Sequence, residues 1–148
     1  MDKDTIQGEF EAPKNPDILY RYVKFKSNDS KYKKFKANKI KGYTIGTDRY
    51  FSGQNVLDDL LFVKIELEGR VNLFTSLVKS YIVTPNGSAP KFDKVYFWSK
   101  DKGLVRVYSR DKKSLLEVIG DNQRCMEIIQ SSKKKDIDIP QLVKIYNQ

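Results

Sequence analysis

The sequence predicts an α+β domain in which an antiparallel β-meander, about residues 4–109, forms a curved sheet or open barrel and is followed by two or three C-terminal helices. Three observations point there. Apolar residues recur with period two through most of the first 109 positions, clusters of Gly, Pro, Asn and Asp punctuate the runs, and near residue 110 the apolar spacing changes to about 3.6. Strands followed by helices, without alternation, are the pattern of α+β rather than of a wound α/β sheet. At 148 residues the chain has the length of one domain, 1–148, and can bury roughly two-thirds of its unfolded surface.

The first strand is expected over residues 5–11 and ends at the Pro13-Lys14-Asn15-Pro16 break. Over residues 19–26, Leu19, Val23 and Phe25 share one face in period two, and Tyr20, Tyr22, Lys24 and Lys26 take the other. Residues 31–36 read as a short strand. Residues 40–45 and 49–52 follow as a pair around Gly46-Thr47-Asp48. The clearest alternation is Leu61, Val63, Ile65 and Leu67 against Phe62, Lys64, Glu66 and Glu68. A three-residue loop, Glu68-Gly69-Arg70, would pair Leu67 with Val71 and Ile65 with Leu73 and send Ile65 and Leu73 to one buried side. Residues 81–84 read as a strand closed by Pro85-Asn86-Gly87, with loop to Pro90. Strands over 95–99 and 104–108 then meet at Asp101-Lys102-Gly103.

In the helical part, Ser109 or Asp111 can cap a helix carrying Leu115, Leu116 and Ile119, which Gly120 can end; Asp121 can cap a second, with Cys125, Ile128 and Ile129 on one face. A last helix starts near Asp138, with Pro140 harmless in its first turn. Its residues Ile139, Leu142, Val143 and Tyr146 fall at i, i+3, i+4 and i+7. A helix of that length is not stable alone in water, so this stripe is expected to dock on its own domain.

Charge is concentrated in residues 20–41, where eight lysines and Arg21 stand against the single acid Asp29, +8 of the chain's +9. Tyr20, Tyr22, Lys24, Lys26, Lys31, Tyr32, Lys33, Lys34 and Lys36 form the candidate site for an anionic ligand, because lysines neutralise phosphates or other anions and exposed rings stack. The structural alternative is that the lysines solvate an outer face and a sheet edge and discourage strand pairing. The dominance of lysine over arginine, which reads phosphate in a bidentate manner, favours that alternative. Lys133-Lys134-Lys135 reads as a solvated turn at a helix end.

The absence of histidine and the single cysteine, Cys125, remove the commonest acid/base, metal and triad chemistries. Cys125 lies among apolar residues and reads as a buried thiol. Asp58-Asp59 and Asp136-x-Asp138 lack the Gly and distant Glu of a calcium loop, and no phosphate-binding Gly-rich loop occurs. Trp98, beside Tyr96 and Phe97, could offer a sugar-stacking ring, but alternation favours packing. No catalytic, cofactor-binding or metal residue is assigned, and the expectation is a non-enzymatic structural or interaction domain. The second reading is a binding module for an anionic polymer, a nucleic acid or acidic polysaccharide. No run approaches the roughly 18 apolar residues of a membrane span. Met1-Asp2-Lys3-Asp4 has no apolar run behind it, so no signal peptide is expected within this chain.

The chain resembles a group of uncharacterised exported or envelope-associated proteins of the Bacteroidetes. The residues that carry the likeness are Asp4-Thr5-Ile6-Gln7-Gly8, the Ile40-Lys41-Gly42-Tyr43 step leading to Tyr50-Phe51, Phe62-Val63-Lys64 with Glu68-Gly69-Arg70-Val71-Asn72-Leu73-Phe74, and Ile145-Tyr146-Asn147. The resemblance implies export to the periplasm or cell envelope, with a leader ahead of residue 1, and a protein or envelope partner. It implies no catalytic residues.

Overall fold

The computed structural model describes residues 5–28, 30–54, 60–100 and 103–148. Asp58-Asp59, residue 4 and most of the Asp101-Lys102-Gly103 turn lie outside them. The described elements are strands β1 (Glu9–Phe10), β2 (Tyr22–Lys26), β3 (Lys33–Lys36), β4 (Gly42–Ile45), β5 (Asp48–Gln54), β6 (Leu60–Leu67), β7 (Leu73–Thr84), β8 (Gly87–Lys100) and β9 (Gly103–Val107), with helices α1 (Ile18–Arg21), α2 (Lys112–Ile119), α3 (Gln123–Ser131) and α4 (Ile139–Tyr146). The α+β class is therefore as expected. The meander, however, is divided: β1-β2-β3 form one antiparallel sheet, and β4 to β9 form another in sequential order. The six-stranded sheet curls without closing into a barrel, which leaves β4 and β9 as its edges.

The period-two alternation sorts the larger sheet into two faces. Val63, Val95, Phe97 and Leu104 pack on the inner face, where Gly53 leaves room for the Leu104 side chain of a strand on the far edge. The outer face is covered in two halves. Phe62 and Tyr50 lie beneath Tyr20 of α1 and Ala37, while Leu73, Trp98 and Val107 lie beneath α2, α3 and α4. Trp98 and Phe97 are both buried, so they pack rather than offer a sugar platform.

Three local expectations about the strands are corrected. The strand expected over 19–26 starts with a helical turn, α1, because Asp17 ahead of it holds Arg21 at 3.0 Å in an i,i+4 pair and Tyr20 turns into the core. The β6–β7 hairpin pairs Leu67 with Leu73, not Val71, and Ile65 with Phe74 across a bulge, so Ile65 and Leu73 take different faces. The cause is distant in sequence: the Asn147 side chain accepts from Val71 N at 3.0 Å and donates to Val71 O at 2.9 Å, occupying the backbone groups a ladder would need. The strand expected to be confined to 81–84 and the loop expected from Pro85 to Pro90 are not found, because β7 and β8 pair without interruption from Leu73–Trp98 to Thr84–Gly87. Only Pro85-Asn86 form the turn, and Gly87 takes the positive φ of 121° that follows it.

The helices follow their caps. Asp111 accepts from Ser114 N at 3.2 Å and Asp138 from Gln141 N at 3.0 Å, each satisfying a free N–H of the first turn. The second helix is capped by Asn122, which accepts from Cys125 N at 3.1 Å, rather than by Asp121, whose carboxylate instead meets Arg70 and Tyr146. Lys134–Asp136 form a single 3-10 turn. Cys125 is fully buried with its thiol 3.6 Å from Leu142 O, and burial raises its pKa. Leu142 and Val143 are buried, so the terminal stripe docks on its own domain.

Candidate functional site

The small sheet brings most of the candidate residues onto one face. Antiparallel pairing sets Tyr22 against Lys36 and Lys24 against Lys34, and directly opposed residues share a face. Two of the lysines lie over rings: Lys34 Nζ is 3.9 Å from the Tyr22 ring centre and Lys26 Nζ 5.1 Å from that of Tyr32. The face thus carries Tyr22, Lys24, Lys26, Tyr32, Lys34 and Lys36. The other face of the sheet carries Val23, Phe25 and Phe35, with Phe25 and Phe35 edge to face at 6.4 Å.

Three candidate residues are placed elsewhere. Tyr20 is buried against Tyr50, edge to face at 5.6 Å, and cannot stack on a ligand. Lys33 pairs with Phe25 and so belongs to the opposite side of β3. Lys31 precedes the strand, exposed in the loop that leads into it.

The face is also less cationic than its lysine content. Because β1 is antiparallel to β2, Glu9 falls opposite Lys26, and Glu11, whose N–H donates to Lys24 O, falls beside Lys24. The carboxylates reach the ammonium groups at 2.9 Å and 2.6 Å. Hydrogen bonding to Lys26 lowers the pKa of Glu9, and hydrogen bonding to Glu9 and Glu11 raises those of Lys26 and Lys24 respectively, so Glu9, Lys24 and Lys26 stay charged at neutral pH. Among the described residues no carboxylate lies within 4.0 Å of Lys34 or Lys36. The signal for this pairing was present in the sequence: acids at 9 and 11 and lysines at 24 and 26 share one period, and only the pairing of their strands was missing.

Three tyrosines anchor this sheet to the larger one. Tyr43 and Tyr50 stack at 4.6 Å and 9°, Tyr43 meets Phe62 edge to face at 4.9 Å, and the Tyr43 hydroxyl donates to Leu19 O. Burial raises the pKa of Tyr20, Tyr43 and Tyr50, which keeps all three neutral. Ser52 Oγ ties the segment after β3 to β5 by donating to Ala37 O at 2.7 Å.

A second surface was not singled out by the sequence reading. β6 pairs with β7 only up to Thr75, Ser76 is buried and Leu77 still packs on the Tyr20–Phe62 cluster, and beyond Leu77 the β7–β8 hairpin leaves the body as an arm. Residues 81–90 are all exposed and contain no charge. Val78, Tyr81 and Ile82 lie open to solvent, and Val83 is 88% exposed. The lack of charge over ten residues with strand-forming side chains was the available signal, and the proline at 90 disguised it as loop. Elsewhere, a shallow groove of about 500 Å³ runs between Tyr96, Arg106 and Tyr108 and the 135–140 segment, with Asp136 and Asp138 its only carboxylates. Among the described residues, no three cysteine, aspartate or glutamate side chains group as a metal site, and no helix is long and apolar enough to cross a membrane.

No family model, no curated protein and no solved structure matches this chain.

Proposed function

We propose that this is a non-enzymatic, β-rich interaction domain that engages a protein partner through the β7–β8 arm. The observation that carries the reading is Val83 at 88% exposure, at the end of an arm whose apolar side chains Val78, Tyr81 and Ile82 are open as well. Large apolar side chains on both faces of a water-exposed projection cost solubility and are retained where they are covered in use. The likeness to exported and envelope-associated proteins supports, by itself, a place outside the cytoplasm. The arm reading is tested by inserting a photo-activatable crosslinking residue at Val83 in cells. A discrete adduct is expected there and not from the same residue at Lys113, exposed on α2. Equal yields at the two positions would remove the reading.

The second reading, binding of an anionic polymer by the small sheet, is favoured by Tyr22, Tyr32, Lys34 and Lys36 standing on one face with Lys24 and Lys26. It carries an internal check, because Glu9 and Glu11 hold two of the four lysines. With two lysines available, the logarithm of single-stranded DNA affinity should fall with the logarithm of salt with a slope of about −1.4, at roughly −0.7 per neutralised phosphate. The double replacement Glu9→Gln with Glu11→Gln frees the other pair and should steepen the slope to about −2.8. Replacing Glu117 and Glu127 on the helices, with the same change in net charge, should leave it alone. Identical slopes for the two double variants would mean that this face is not the binding surface.

A further inference from the structure

The chemistry of the arm's two edges points to one occupant. Pro90 has no N–H, so the pair Tyr81–Pro90 cannot exchange both ladder hydrogen bonds and must be a non-hydrogen-bonded pair. Alternation along the unbroken register then makes Lys79–Phe92 and Val83–Ser88 pairs of the same kind. The backbone N–H and C=O groups of Lys79, Tyr81 and Val83 therefore point away from β8, along the outer edge of β7. On the outer edge of β8, Pro90 removes a donor and blunts pairing. Among the described residues, β6 pairs with β7 only up to Thr75, so nothing takes the outward groups of Lys79, Tyr81 and Val83. One edge of the arm is thus closed to a further strand and the other is open.

We infer that the open edge pairs with the same edge of a second copy, antiparallel about a two-fold axis at Tyr81, to give a continuous four-stranded sheet β8-β7-β7-β8. This rests on the reading of the arm as the interaction element and names its partner. Centred on Tyr81, the register sets Tyr81 against Tyr81, Lys79 against Val83 and Val83 against Lys79, and all three pairs present outward groups to one another. Six backbone hydrogen bonds follow. On the opposite face Ser80 meets Ile82 and Val78 meets Thr84, so the only charge within residues 78–84, Lys79, never faces its own copy. A shift that centred the axis on Lys79 would oppose two ammonium groups. One that centred it on Ile82 would set Lys79 against Pro85, which has no donor. The net charge of +9 does not oppose the union. Leu77 is the last residue of β7 packed on the body, and four steps from it to Tyr81 span about 13 Å at roughly 3.3 Å per residue, so the bodies stand about 26 Å apart. Screening at physiological salt acts over about 8 Å.

The purified chain is tested by sedimentation equilibrium at about 0.15 M salt, over roughly 1–200 μM. A reversible dimer of the 17.2 kDa chain is expected. Val83→Lys places a cation opposite Lys79 and should weaken the dimer at least tenfold, with melting midpoint and circular dichroism unchanged because Val83 is exposed. Adding Lys79→Glu to it restores opposite charges in that register and should recover most of the affinity. Tyr81→Pro removes an outward N–H and should give monomer. A wild type that remains monomeric throughout overturns the inference, as does a dimer indifferent to Val83→Lys. A monomer that still gives a position-specific adduct from Val83 in cells, at the mass of a different protein, overturns self-pairing and leaves the arm as an interaction element.

Discussion

Truncation after Lys135 is expected to abolish the fold. The lost segment carries six buried apolar side chains: Ile137, Ile139, Leu142, Val143, Ile145 and Tyr146. At about 1.5–3 kcal/mol each, their burial amounts to roughly 9–18 kcal/mol, against a typical total stability of about 5–15 kcal/mol. The segment also covers Leu73, Trp98 and Cys125, and it supplies Asn147, whose side chain holds both backbone groups of Val71. The shortened chain should therefore lack a cooperative thermal transition and the near-ultraviolet dichroism of a packed Trp98. A cooperative melt within a few degrees of the full chain would show that α4 rests on the domain without holding it.

The second large effect is expected from Phe62→Ala. Phe62 is fully buried and lies edge to face with Tyr43, among Tyr20, Tyr50 and Leu77. Removing a buried phenyl ring costs about 3–5 kcal/mol through lost transfer energy and the cavity left behind. For a chain of this size, at about 2–4 °C per kcal/mol, the midpoint should fall by roughly 10–15 °C. The position of the ring adds a spatial prediction. Its cluster joins α1 to the six-stranded sheet, so amide exchange in β2 and β3 should accelerate more than exchange in α3. A midpoint within 2 °C of the native value, or uniform acceleration across the chain, would contradict this account of how the two sheets are joined.

Much of the fold was legible in the sequence. The alternation from Leu61 to Leu67 is β6, although the structure covers both of its faces at the middle, where Phe62 and Val63 are each buried on opposite sides. Asp111 and Asp138 cap the helices expected of them, since a carboxylate placed before an apolar helical stripe satisfies N–H groups the helix cannot. The stripe from Ile139 to Tyr146 announced its own docking. The candidate face was legible as a list of residues, yet its members were partly wrong: Tyr20 obeyed the period of its strand on paper, but Asp17–Arg21 pairing and burial beside Tyr50 favoured a helical turn.

The division follows the range of the interactions. Periodicity, capping and composition act within a few residues, and by themselves they determined the α+β class, the placing of a strand-rich part ahead of the C-terminal helices, and the docking of the terminal helix. Only the tertiary structure decided what the surfaces carry. Glu9 and Glu11 quench half of the lysines on the basic face once β1 lies beside β2. Asn147 moves the start of β7 from a position 76 residues away. The arm becomes a surface because β6 stops pairing at Thr75 while β8 continues to the turn. Each of these is a contact between strands or segments brought together by folding, and a one-dimensional pattern records which groups are available for such contacts without recording which groups meet.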